Sequence, residues 1–208
     1  MDVREMAAAA KRSSVAERRP ALVLYAELRN FTRLSEMLEA PRVLRMASEF
    51  FALAARAVES NGGELFGTHN DALLAAFRRG APAQIAQQGV RAAQQLQREF
   101  GLLAESWEKS LGLRSATAMG LHLGETVFGV AGPAGHEQYL AFGDSVSIAN
   151  RLLHRARAGE FVLSDAVMGA LAAANLNLVA ESLPPLELAR RPAIRIYGVL
   201  LDTRLDFT

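Results

Sequence analysis

Glu27 and Asp71 are the acidic residues best placed to do chemistry. Glu27 closes the apolar run Ala21-Leu22-Val23-Leu24-Tyr25-Ala26, and Asp71 opens the run Ala72-Leu73-Leu74-Ala75-Ala76-Phe77. If those runs form neighbouring strands, the carboxylates converge. A hard divalent cation, Mg²⁺ or Mn²⁺, is what such a pair takes, because it needs only one or two protein carboxylates when waters and phosphate oxygens complete the shell. The turn after Glu27 offers the phosphate pocket: the backbone N–H groups of Asn30, Phe31 and Thr32 would point out of a helix start, where unpaired donors and the helix dipole attract an anion. On residue types alone a second reading stays open, since acids at strand ends beside a capped helix are common in purely structural roles.

The elements that must position these groups can be read from periodicity. The run at 21–26 has the length and continuity of a central strand covered on both sides. Asn30 is placed to cap a helix start, and a long amphipathic helix is expected from about Arg42 to Ser60, ended by Asn61-Gly62-Gly63. Glu64–Phe66 and Asp71–Phe77 read as a hairpin around Gly67-Thr68-His69-Asn70. Pro82 to about Trp107 repeats apolar residues at helical spacing. Leu113–Leu123 and Thr126–Val130 read as strands broken at Gly124, with a further strand at Gln138–Phe142 and a helix from Ser145 to about Ala156. A strand at Phe161–Leu163, a helix at Asp165–Ala173 and strands within Leu176–Leu188 and Ile194–Leu201 complete the chain. Hairpins and helical crossovers alternate, so the expected class is α/β or α+β, a mixed central sheet with helices packed on it.

Composition bounds the partners. The chain has 208 residues, half of them apolar, enough for one domain over 20–202 with a lead-in at 1–19 and a tail at 203–208. The lead-in is basic and reads either as a short helix or as disordered. Lys and Arg number 23 against 22 for Asp and Glu, so no global field marks a nucleic-acid or membrane-surface binder. There is no cysteine, which excludes a disulfide framework and thiolate metal sites and fits a reducing, cytoplasmic setting. No apolar run approaches the ~20 residues that span a bilayer.

Read together, Ala26-Glu27-Leu28-Arg29-Asn30-Phe31-Thr32-Arg33-Leu34-Ser35-Glu36, Gly62-Gly63 and the run from Asp71 resemble the opening half of a class III adenylate/guanylate cyclase catalytic domain. Gly120–Gly129, Tyr139–Phe142, Gly143-Asp144-Ser145-Val146 and Ala149-Asn150-Arg151-Leu152 follow that family's order and spacing, and Leu183–Leu188 resembles its C-terminal strand pair. The resemblance implies the ferredoxin-like cyclase fold and a dimer that builds its sites across the interface, one face carrying metal acids and the other base recognition and transition-state groups. It implies attack of a ribose 3′-hydroxyl on the α-phosphate of a nucleoside triphosphate, with Mg²⁺ or Mn²⁺ and release of pyrophosphate.

By that resemblance Glu27 and Asp71 take the metal positions, with Glu27 standing where the family has Asp, and the backbone carbonyl of Leu28 is a further ligand. Asn30 replaces the usual glycine of the triphosphate turn. The family's adenine-recognising Lys falls on Gly67 and its partner on Leu140, and neither can hydrogen-bond a base through a side chain. The ribose-orienting Asn falls on Ser147, whereas Arg151 keeps the phosphate-contacting Arg. The resemblance therefore implies a degenerate signalling module, homodimeric or paired with an intact half, with little turnover of its own. Its rivals are an active cyclase with atypical base recognition and a scaffold that binds no nucleotide. Outside this set His69 reads as an exposed turn residue, Asp144 as a helix cap, and Met46, Phe50, Phe51 and Leu53 as core.

Overall fold

In the computed structural model, residues 16–200 and 205–207 are described, so 1–15 of the expected lead-in and 201–204 and 208 of the C-terminal stretch lie outside the described residues. In chain order the elements are β1 (Glu17–Arg29), α1 (Phe31–Met37), α2 (Ala40–Ser60), β2 (Glu64–His69), β3 (Ala72–Phe77), α3 (Pro82–Leu111) and β4 (Ala116–Ala131). There follow β5 (Gln138–Phe142), α4 (Asp144–Arg155), β6 (Phe161–Ser164), α5 (Asp165–Ala172), β7 (Leu176–Leu178), β8 (Glu181–Leu188), β9 (Arg191–Val199) and β10 (Leu205–Phe207). The main sheet runs β2-β3-β1-β4-β6-β9-β8 with β5 on β4, and β10 pairs with β7. Every ladder in the main sheet is antiparallel except β4 with β6. This is the mixed sheet expected.

The central strand is doubly covered because its alternate residues face different helices. Leu22, Leu24, Ala26 and Leu28 are buried against α2 and α3, together with Met46, Phe50 and Leu53. On the other face α4 packs Ile148, Leu152 and Leu153 against Ala118 of β4 and Val162 of β6. Burying residues of Leu and Phe size contributes about 1.5–3 kcal/mol each, so these faces hold the two layers together.

Some boundaries differ from expectation for physical reasons. β1 starts at Glu17 rather than Ala21, because its first residues pair with β4 and Glu17 is held by the Arg78 guanidinium. Arg78 also donates to Glu64 at 2.7 Å and to the Tyr139 hydroxyl at 3.1 Å, and lies 4.7 Å from the Phe128 ring centroid. β4 is one strand through Gly124, not two. There β1 pairs along the whole stretch, and space is tight: a Cβ would sit 3.0 Å from His122 Nε2, which would have to give by a few tenths of an ångström. Asp144 does not cap α4. Gly143 is the cap residue, and Asp144 instead takes a two-pronged ion pair from Arg191 at 2.6 and 2.7 Å, which holds its carboxyl below the usual range.

Helix α4 lies unusually close to β4. A Cβ on Gly120 would overlap the Ala149 carbonyl oxygen and the Leu153 amide nitrogen, so helix backbone rests directly on strand backbone. Gly120→Ala is expected to lift the helix and cost about 2–3 kcal/mol in urea unfolding, whereas a neutral result would contradict the close approach. Beside this contact His122 is buried with Nδ1 2.8 Å from Ser164 Oγ. Burial pushes its imidazole from 6.5 to about 4, against the opposing pull of Asp144 and Asp165. The unfolded chain therefore binds this proton first as pH falls. Stability from the neutral ring is whole above pH 6.5 and declines by about 3 kcal/mol between there and pH 4. His122→Gln should lose that part of the decline in unfolding titrations at pH 7 and pH 4.5; an unchanged decline would show that the ring does not titrate as described.

Candidate functional site

Register brings the metal-position residues to one end of adjacent strands. Glu27 lies opposite Ala72, and the Leu28 N–H donates to the Asp71 carbonyl at 3.0 Å. Asp71 is not the first residue of a strand, as expected, but the second residue of the Asn70-Asp71 turn. Asn70 has φ 53°, a left-handed conformation that Asn tolerates better than most residues, and this tightens the hairpin so that its last strand pair is His69 with Ala72. The half-buried Asp71 carboxylate has no hydrogen-bond or ion-pair partner among the described residues. In an antiparallel ladder the N–H and C=O of one residue point the same way. The Leu28 carbonyl is therefore aimed at the Asp71 side of β1.

Glu27 is already engaged. Pairing with Ala118 puts its side chain on the α4 face. There Arg29, two residues on and on the same face, donates from Nη1 to Glu27 Oε1 at 2.7 Å. Its Nη2 donates to the Leu153 and Ala156 carbonyls at 2.9 and 3.0 Å, which close the C-terminal end of α4. Arg29 was not among the residues picked out from sequence. The signal that could have found it is simple: opposite charges at i and i+2 in a strand share a face.

The donor set suits a hard divalent cation. The donors are the carboxylates of Glu27 and Asp71, on backbones joined by the Leu28–Asp71 bond, and the Leu28 carbonyl, all oxygen. Among the described residues no three His, Cys, Asp or Glu side chains gather into a metal cage, so the remaining donors would have to come from water and phosphate. His69 is exposed at the end of β2.

The turn expected to take a triphosphate has Asn30 at the cap position of α1, as expected, but without a side-chain cap bond. Asn30 has φ 66°, and its amide reaches the Arg114 carbonyl at 3.4 Å instead. Asn fits there because it tolerates the left-handed region in which a glycine is usual. The first intrahelical bond runs from Leu34 N–H to the Asn30 carbonyl, which leaves the N–H groups of Phe31, Thr32 and Arg33 without helix acceptors. A shallow depression of about 260 Å³ adjoins this turn, lined by Asn30, Arg33, Leu34, Glu108, Gly112, Leu113 and Arg114.

Base-recognition positions Gly67 and Leu140 lie on β2 and β5, strands whose neighbouring residues Phe66 and Tyr139 bring their rings to 5.9 Å. Gly67 sits at a β-bulge with φ 145°, a backbone conformation that a side-chain-bearing residue rarely adopts. Leu140 is half-buried opposite Gly129. Ser147 and Arg151 are both exposed, one helical turn apart on α4, and neither side chain is hydrogen-bonded to a described residue. Within this one chain they do not meet Glu27 or Asp71.

A family model described as the adenylate and guanylate cyclase catalytic domain matches residues 15–197. Adenylate cyclase 1 of Rhizobium meliloti (strain 1021) is 28% identical over 137 residues, covering 65% of this chain and 20% of that protein. An adenylate cyclase of Anabaena cylindrica is 26% identical over 131 residues, covering 62% of this chain and 26% of that protein. The chain thus spans about a quarter or less of the length of these relatives. The crystal structure of the adenylyl cyclase CyaB from P. aeruginosa superposes with a TM-score of 0.85 at 20% identity, over 93% of this chain and 100% of that one. That of the guanylyl cyclase Cya2 gives 0.76 at 23% identity, over 88% and 92%. With its sheet order and its sequence in agreement, the chain belongs to the family of adenylate and guanylate cyclase catalytic domains.

Proposed function

We propose that this domain is a dimeric signalling module that holds a divalent metal and the triphosphate of a nucleotide but turns it over slowly or not at all by itself. The observation that carries this reading is the bulge at Gly67. The position where the family reads adenine has no side chain, and its φ of 145° opposes the addition of one. Leu140 and Ser147 extend the same loss to the base partner and the ribose. Each preorganised donor missing at a developing charge costs about 100- to 1,000-fold in rate.

Retention on the opposite face supports binding. Glu27, Asp71 and the Leu28 carbonyl would hold Mg²⁺ or Mn²⁺, which when bound supplies charge neutralisation and lowers the pKa of the attacking hydroxyl. The N–H groups of Phe31 and Thr32, with Asn30 setting the turn, would orient the phosphates. Arg151 of a partner subunit would stabilise charge at the α-phosphate, as the resemblance implies. Val130 and Phe142, apolar and 42% and 46% exposed on β4 and β5, support a second copy or a related domain as that partner. An Asp71 carboxylate and an Arg151 side chain without partners among the described residues favour one further reading: the metal-carrying half of a heterodimer whose other half reads the base. A cysteine-free composition, and the absence among described helices of any long and apolar enough to cross a membrane, support a cytosolic setting.

The test is an assay of cyclic products from ATP and GTP with Mn²⁺, on the native chain and on Asp71→Asn. The expected result is no product above the variant's background. Robust product that disappears in Asp71→Asn would overturn the proposal and establish an active cyclase with atypical base recognition; failure of nucleotide and Mn²⁺ to bind at all would leave a scaffold.

A further inference from the structure

Arg29 joins residues that serve different halves of the chemistry. Its Nη1 donates to Glu27 at 2.7 Å, and its Nη2 to the Leu153 and Ala156 carbonyls at 2.9 and 3.0 Å. Those carbonyls belong to the last turn of α4, where a helix lacks intrahelical donors and carries the negative end of its dipole. The guanidinium is three-quarters shielded and Glu27 more so, with 25% and 16% of the side chains exposed, so solvent screens the contact only partly. The same helix presents Ser147 and Arg151. Two further bonds fix the strand ends here: Thr117 Oγ1 donates to the Glu27 carbonyl at 3.2 Å, and Ser115 Oγ to the Arg29 carbonyl at 3.1 Å. The backbone beneath the pair is thus held, and the side chains are the parts that can exchange partners.

We propose that Arg29 is a positioning residue that competes with the metal for Glu27 and reports the metal's arrival to the C-terminal turn of α4. The inference rests on the metal reading above. A divalent cation on Glu27 withdraws the counter-ion of Arg29 and repels its guanidinium, so the contacts to Leu153 and Ala156 weaken and the helix end loosens. Arg is suited to this role and Lys is not, because only the planar fork reaches a carboxylate and helix carbonyls at once. Ser147 and Arg151 ride on the same helix, so in a dimer that completes its sites across the interface, as the resemblance implies, metal loading of one site would alter the group placement at its twin.

The experiment uses Mn²⁺ alone as probe. Free Mn²⁺ is followed by electron paramagnetic resonance in titrations of the native chain and of Arg29→Met. Removal of the competing cation is expected to tighten Mn²⁺ binding about tenfold; a purely structural arginine would leave affinity unchanged or weaker, and either result overturns the proposal. Hydrogen exchange of the native chain supplies a second measurement that stands even if Arg29→Met does not fold. Mn²⁺ should speed exchange at residues 153–157 while the centre of α3 stays protected, and exchange insensitive to Mn²⁺ there would overturn the coupling. Native chain that binds Mn²⁺ without these effects contradicts the role of Arg29 only. Native chain and Glu27→Asp that both fail to bind Mn²⁺ contradict the metal reading itself, and the inference with it.

Discussion

The site depends on the register of β1 against β3, seen most simply in the bond from the Leu28 N–H to the Asp71 carbonyl. That register is imposed from elsewhere: alternate residues of β1 must enter the core beneath α2 and α3, and a slip by one residue would drive Leu22, Leu24 and Leu28 out of it. Glu27 therefore arrives at the sheet end because hydrophobic burial holds the strand, not because the acids attract anything. The tight Asn70-Asp71 turn then sets Asp71 opposite Leu28 and leaves its carboxylate without a partner among the described residues. The placement of the two acids is here a by-product of a packing constraint.

The base-recognition positions are governed by different elements. Gly67 and Leu140 belong to β2 and β5, on the outer side of the sheet, where Arg78 binds Glu17, Glu64 and Tyr139 over the Phe66 and Phe128 rings. This cluster keeps the two strands together without help from a base-reading Lys or its partner. A change in β1, by contrast, would disturb the core. The asymmetry we propose, a metal face that keeps its acids and a base face without hydrogen-bonding side chains, matches where packing energy resides. Arg29 links the metal face to α4, so the acids are not electrostatically isolated from the helix that carries Ser147 and Arg151.

Much of this was legible in the residues. The continuous run at 21–26, the periodic helices and the spaced motifs placed the fold and the two strands whose ends carry Glu27 and Asp71. What escaped was set by tertiary contact. Gly124 reads as a break because glycine weakens strands, yet β1 pairs straight across it and His122 crowds the space a side chain would need. Asn30 and Asp144 read as caps because their types favour caps; the first serves a left-handed turn and the second meets Arg191 from a strand 47 residues away. Glu17 reads as part of a polar lead-in because its partner, Arg78, lies 61 residues further along the chain. The Arg29–Glu27 pair was the exception, visible in a spacing of two and overlooked.

The central claim is that the domain recognises metal and phosphates but not the base. Its most direct test is calorimetric competition, in the presence of Mn²⁺, between inorganic tripolyphosphate and non-hydrolysable analogues of ATP and GTP. The account predicts that all three bind within about threefold of one another, since no side chain at Gly67 or Leu140 can pair with a purine edge. A preference of about a hundredfold or more for either nucleotide over tripolyphosphate would show a base pocket built from other residues and contradict it.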